Sequence, residues 1–136
     1  MSVGRSHNPQ DVVVIGSGPI GIFHGWVLAE AGHRVTHLTR PYGGPEDRSF
    51  ELLDVGTART ARLSFRTVHV EGLEACDLVV VALGEAELPG ALAQVRSLPG
   101  TPLIVLLGTY PLGLRTVPSD LRGRTVLGHP SITGDL

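Results

Sequence analysis

Residues 12–21 read V-V-V-I-G-S-G-P-I-G. Four β-branched residues run into a glycine, the pattern of a buried parallel strand. Gly16, Gly18 and Gly21 then keep a G-x-G-x-x-G spacing. In a phosphate-binding loop the first glycine permits the tight turn, the second lets a pyrophosphate approach the backbone, and the third lets the helix pack close. The helix that follows offers unpaired N–H groups and a partial positive charge to the phosphates. Strand before and helix after is the context the motif requires, and Pro19 suits a first helical position. The same glycines would also serve a bare strand-to-helix turn, so the rest of the chain must decide.

Working outward, Ile20, Phe23, Val27, Leu28 and Ala31 recur at helix spacing, and Gly32 reads as a C-cap. Residues 33–39 read as a second strand, which completes a βαβ unit of about 30 residues. A Pro/Gly loop over 40–47 leads to a small hairpin, 50–54 and 61–65, around Gly56. A third sheet strand is expected at 67–70, and the apolar runs 78–83 and 103–107 read as buried strands. Leu88, Leu92 and Val95 mark a helix between those two, with Pro89 in its first turn. A helical turn at 118–122 and a strand at 125–127 end the pattern. This alternation predicts an α/β fold: a doubly wound, mostly parallel sheet with a small antiparallel hairpin inserted. One domain over 11–136 is expected, behind a flexible arm at 1–10.

The chain has 136 residues, 42% of them hydrophobic, enough for one core. Aromatics are only 4%, so Val, Leu, Ile and Ala must build that core. A net charge of -2 with no basic block excludes nucleic acid as a partner. The apolar runs are too short to span a membrane, and the polar start is unlike a signal peptide. A single cysteine, Cys76, permits no internal disulfide and suits a reducing cytoplasm; it reads as an apolar filler. His33 and His37 lie on a strand, where i,i+4 spacing does not align ligands, so no metal is expected.

An enzyme that prefers NAD usually has Asp or Glu after the second strand. This chain has Thr39 and Arg40, an arrangement that favours a 2′-phosphate, hence NADP(H). Ligands in such folds lie beyond the carboxyl ends of the strands. The acid–base candidates there are Glu85, Glu87, Tyr110 and His129. The glutamates would act as bases if buried; otherwise they form a charged first helical turn. Ile22, Trp26 and Ala29 fall together on the first helix and suggest a face covered by a second copy or a partner subunit.

The order of motifs G-S-G-P-I-G, L-A-E-A-G-H-R-V-T-H-L-T-R, C-D-L-V-V-V-A-L and P-L-I-V-L-L-G resembles the N-terminal Rossmann domain of ketopantoate reductases. The final T-V-L-G-H-P-S-I-T-G is similar to the strand that closes that domain, so the resemblance covers about residues 11–134. It implies NADP(H), with phosphates on Gly16, Ser17, Gly18, Pro19, Ile20 and Gly21. It places the 2′-phosphate near Arg40, and the nicotinamide half beside the backbone of Ala82, Leu83 and Gly84, with Gly108 nearby.

The chain also departs from the family. Leu83-Gly84-Glu85 stands where the family has a lysine, and Leu107-Gly108-Thr109 where it has Asn-Gly. The family's helical second domain, which supplies a catalytic lysine, is not expected here, and all eleven basic residues are arginines. Ordinary ketopantoate reduction by this chain alone is therefore not expected. The leading expectation is an NADP(H)-dependent oxidoreductase for a small carbonyl or alkene, alone or as a subunit. The alternatives are a non-redox cyclase or isomerase of bacterial secondary metabolism that has lost the cofactor, and a nucleotide-sensing module.

Overall fold

The computed structural model describes residues 8–39 and 44–128. The valines of β1 (Asp11–Ile15) put it in the interior of a five-stranded parallel sheet. β2 (Arg34–His37) pairs on one side of it and β5 (Leu78–Val81) on the other; β6 (Leu103–Leu107) and β7 (Thr125–Gly128) extend the sheet beyond β5. Alternate side chains point to opposite layers, so a central strand must be apolar on both faces. Val13 and Ile15 join Val79, Val81, Ile104 and Leu106 in the larger core, while Val12, Val14 and Val80 face the other layer.

α2 (Leu88–Ser97) covers the larger core. Leu88, Ala91, Leu92 and Val95 recur at helix spacing, and each is at most 2% exposed. A short α3 (Ser119–Arg122) adds the buried Leu121 and is tied to α2 by the Arg96–Asp120 ion pair at 2.8 Å. Among the described residues no helix is long and apolar enough to cross a membrane.

The strand expected at 67–70 is reduced to one parallel bridge between Leu38 and Val68. It lies beyond β2. Pairing stops there because a turn with Gly72 at φ +79 leads the chain away. Counting that bridge, the sheet winds outward from β1 in both directions, the doubly wound arrangement. The connection between β2 and the bridge, commonly a helix in such folds, is here an antiparallel hairpin, β3 (Asp47–Asp54) and β4 (Arg59–Arg66). It is longer than the sequence suggests. One face pairs Phe50 with Leu63 and Leu52 with Ala61; the other carries the Asp47–Arg66 ion pair. The Asp54 carboxylate accepts the Gly56 N–H at 2.9 Å and so closes the turn.

α1 (Pro19–Glu30) corrects the expected stripe. Its buried residues are Gly21, Ile22 and Gly25, whereas Ile20, Phe23 and Val27 are half-buried on another side. A hydrophobicity pattern cannot see glycines chosen for close approach. The Ile22/Trp26/Ala29 face is therefore not one surface: Ile22 is 2% exposed, Trp26 half-buried and Ala29 exposed.

Candidate functional site

The carboxyl end of β1 turns sharply at Gly16, whose φ of +119 only glycine adopts freely. A Cβ there would lie 2.4 Å from the Ala82 carbonyl oxygen. A Cβ at Gly21 would lie 2.4 Å from the Gly16 carbonyl oxygen. Both glycines are thus required by the protein's own backbone. Gly18 is different. Its backbone is extended (φ -78, ψ 177), and a Cβ would meet nothing within 4 Å. No contact of the fold demands a glycine at 18, and the space in front of it is open.

Gly18 is also the N-cap of α1, with Pro19 next and no side chain capping the helix. The first ladder bond runs from the Ile22 N–H to the Gly18 carbonyl at 3.1 Å, so the Ile20 and Gly21 N–H groups lie outside the ladder. Half-buried Ser17 and Ile20 flank this terminus. An open cradle at Gly18 over uncapped N–H groups fits a pyrophosphate.

Beside the loop run residues 82–84. The Ala82 N–H donates to the Ile15 carbonyl at 2.9 Å, and the Leu83 side chain lies 3.4 Å from where a Gly16 Cβ would be. Glu85 and Glu87 follow on an exposed 3-10 turn (Glu85–Glu87). There they carry the charge of a first helical turn.

Tyr110 comes from the far side. Its ring is 9% exposed, and its hydroxyl donates to the Leu83 carbonyl at 2.7 Å. Gly108 makes room for it: a Cβ there would lie 3.0 Å from the phenol oxygen. Burial pushes the Tyr110 phenol pKa up, so the hydroxyl keeps its proton. The bond from Tyr110 to Leu83 has no sequence signal, because it joins residues 27 apart through a backbone atom.

At the end of β2, Thr39 is 5% exposed and its hydroxyl donates to the Gly44 carbonyl at 2.7 Å. That proton is committed to the loop. The Gln94 amide reaches the Thr39 carbonyl at 3.4 Å from α2, and its own Oε1 is buried without a hydrogen-bond partner among the described residues. Arg40 and His129 lie outside the described residues. Cys76 sits in the larger core, where burial pushes its thiol pKa up. Among the described residues no group of three His, Cys, Asp or Glu is placed to hold a metal ion. Two cavities lie away from the loop. One of about 290 Å³ sits at the amino ends of the strands beside Asp11, Arg34 and Cys76, and one of about 360 Å³ at the hairpin base beside Arg48 and Ser64.

Comparisons with known proteins agree with this geometry. Over 40 residues the chain is 48% identical to a D-amino acid dehydrogenase of Vibrio cholerae, which is 29% of this chain and 10% of that protein. Over 34 residues it is 53% identical to an L-glutamate oxidase precursor of Streptomyces viridosporus, 25% of this chain and 5% of that one. The chain thus spans only a small fraction of these relatives. The structure of a dimeric ketopantoate reductase from Staphylococcus aureus has a similar fold, with a TM-score of 0.55 at 18% identity over 71% of this chain and 32% of that one. The family model described as ketopantoate reductase PanE/ApbA matches residues 12–108, and the chain belongs to that family.

Proposed function

We propose that this domain binds NADP(H) and serves a ketopantoate-reductase-like oxidoreductase acting on a small carbonyl or alkene. It would act as a subunit or as a stand-alone cytoplasmic enzyme. The observation that carries this reading is the open space at Gly18 between two sterically required glycines. A bare turn explains Gly16 and Gly21 and leaves Gly18 without a reason.

Ser17, Gly18, Ile20 and Gly21 would hold the pyrophosphate through the start of α1, and Arg40 the 2′-phosphate. Ala82, Leu83, Gly84 and Gly108 would border the nicotinamide half. NADPH, when bound, supplies a hydride. The chain contains no lysine, so the proton for a reduced carbonyl must come from another group. The Tyr110 proton is held by the Leu83 carbonyl, which leaves His129 as the candidate in this chain, with Glu85 and Glu87 as exposed carboxylates near the same wall. A partner subunit or second copy would cover the apolar side of α1 that carries Phe23 and Val27.

One observation favours a second reading. The wall beyond β5 is Leu83 and Tyr110, and its one hydroxyl is engaged with Leu83. Such a wall suits a non-redox cyclase or isomerase that shapes an apolar substrate.

Calorimetric titration with NADPH and NADH tests the first reading. The wild type should bind NADPH more tightly than NADH, and Arg40→Ala should lose that preference. Gly18→Ala should keep its melting temperature and weaken NADPH about tenfold or more, because a methyl displaces phosphate from backbone N–H groups. No NADPH binding by the wild type, or an undiminished affinity in Gly18→Ala, would sink the reading. Tight binding without turnover on any carbonyl or alkene would instead favour a nucleotide sensor.

A further inference from the structure

We infer that Tyr110 is a positioning residue: by holding the Leu83 carbonyl it turns the Leu83–Gly84 peptide so that the Gly84 N–H becomes a fixed, outward-facing donor next to the Leu83 that packs on the glycine loop. This rests on the NADP(H) reading and deepens it, because it assigns a protein donor to the non-adenosine half of the dinucleotide.

The argument begins with the peptide plane. In a trans peptide the C=O and the following N–H point in opposite directions, and among the described residues no peptide is cis. The Tyr110 hydroxyl draws the Leu83 carbonyl toward the packed end of β6 with a 2.7 Å hydrogen bond. The Gly84 N–H must then point away from Tyr110. Gly84 is exposed, and a Cβ on it would meet nothing within 4 Å. No acceptor among the described residues takes this N–H, whereas the Gly84 carbonyl already accepts from the Glu87 N–H at 3.1 Å.

The latch is stiff at both ends. Tyr110 is seated in the core, and Gly108 gives its phenol oxygen the space a side chain would fill. Leu83 in turn lies against the position of a Gly16 Cβ, and Ala82 against Gly16 and Gly21. The donor at Gly84 is therefore held in register with the glycine loop. An oxygen on the ribose or carboxamide of the nicotinamide half is the chemistry it fits. A second open glycine would let that half approach the backbone as the pyrophosphate approaches Gly18.

Tyr110→Phe removes the hydroxyl and keeps the buried ring. NADPH and 2′,5′-ADP, which carries only the adenosine half, would be titrated into wild type and variant. The variant is expected to bind 2′,5′-ADP as the wild type does and NADPH about tenfold more weakly, the scale of one lost oriented hydrogen bond. Equal losses for both ligands, or no loss for NADPH, would overturn the inference while leaving the NADP(H) reading intact. A wild type that binds neither ligand would overturn both.

Discussion

The imidazole of His37 lies flat on the ring of Phe65, with centroids 4.0 Å apart and planes 19° from parallel. Phe50 continues the stack at 6.0 Å, and the Arg48 guanidinium closes it 5.1 Å from the Phe50 centroid. On the other side the imidazole abuts α1 at Gly25. One ring thus joins helix, sheet and hairpin. A two-stranded hairpin is marginal by itself, so this anchor matters.

Burial pushes His37 down to about 4, against 6.5 for an ordinary histidine. Between those values the unfolded chain binds the extra proton, so stability falls as pH drops. It should be full above about 6.5 and level off below about 4, with a total loss of at most ~3 kcal/mol. Asp11, Asp54 and Asp120 are held low by hydrogen bonds, chiefly from Arg34, Thr57 and Arg96, so their contribution is lost only at pH below this window. Urea unfolding at neutral pH and near pH 5 measures the effect. His37→Phe should flatten the difference, and an unchanged slope in that variant would place the titration elsewhere.

Gly25→Ala should destabilise by about 1–3 kcal/mol through overpacking. Its Cβ would lie 2.7 Å from the His37 Cε1 and 2.9 Å from Nε2. Because Phe65 backs the ring, the imidazole cannot simply retreat. In the double variant Gly25→Ala/His37→Ala the obstruction is gone, so the two costs should fail to add. Additive costs in denaturant melts would contradict this packing.

The three loop glycines should separate in stability as they do in geometry. Gly21→Ala drives a Cβ into backbone, which cannot rotate aside, and should cost about 3 kcal/mol or more. Gly16→Ala adds a forced positive φ to the same kind of clash. Gly18→Ala should change stability by under about 0.5 kcal/mol. Thermal melts of the three variants, without ligand, give the ranking directly.

Val27→Glu tests the outward side of α1. Val27 is half-buried and outside both core clusters, so the monomer should keep its fold. If a second copy covers that side, light scattering should show the wild-type mass falling to a monomer in the variant. A monomeric wild type would remove the second-copy version of the proposal.

Much of the fold was readable because β1, β5 and β6 are apolar on both faces, and the glycine spacing marked where β1 hands over to α1. What was misread has a common cause. The inward line of α1 contains two glycines, Gly21 and Gly25, whose contribution is absence of volume, and a periodicity argument scores only side chains. Ile22 was assigned outward for that reason. The third strand was overextended because residues 67–70 look like a strand locally, while only Val68 bridges to Leu38 before the chain turns away at Gly72. In the candidate site, Gly16, Gly18 and Gly21 lie on the turn from β1 into α1, with Ala82 and Leu83 beside Gly16. The sequence could not distinguish the roles of the three glycines. Nor could it show that the Thr39 hydroxyl is bound to Gly44, or that His37 is a packing residue.

Gly25 lies seven residues along α1 from Gly18, about 10 Å by helix rise. Because the helix rests on His37 and Val14 there, that contact acts as the fulcrum of a lever whose other end carries the uncapped N–H groups. A side chain at Gly25 would press on His37 and Val14, and is expected to shift the far end relative to β1. A change remote from every proposed ligand atom would then register as lost phosphate affinity, and selection for binding would preserve a glycine that touches no ligand.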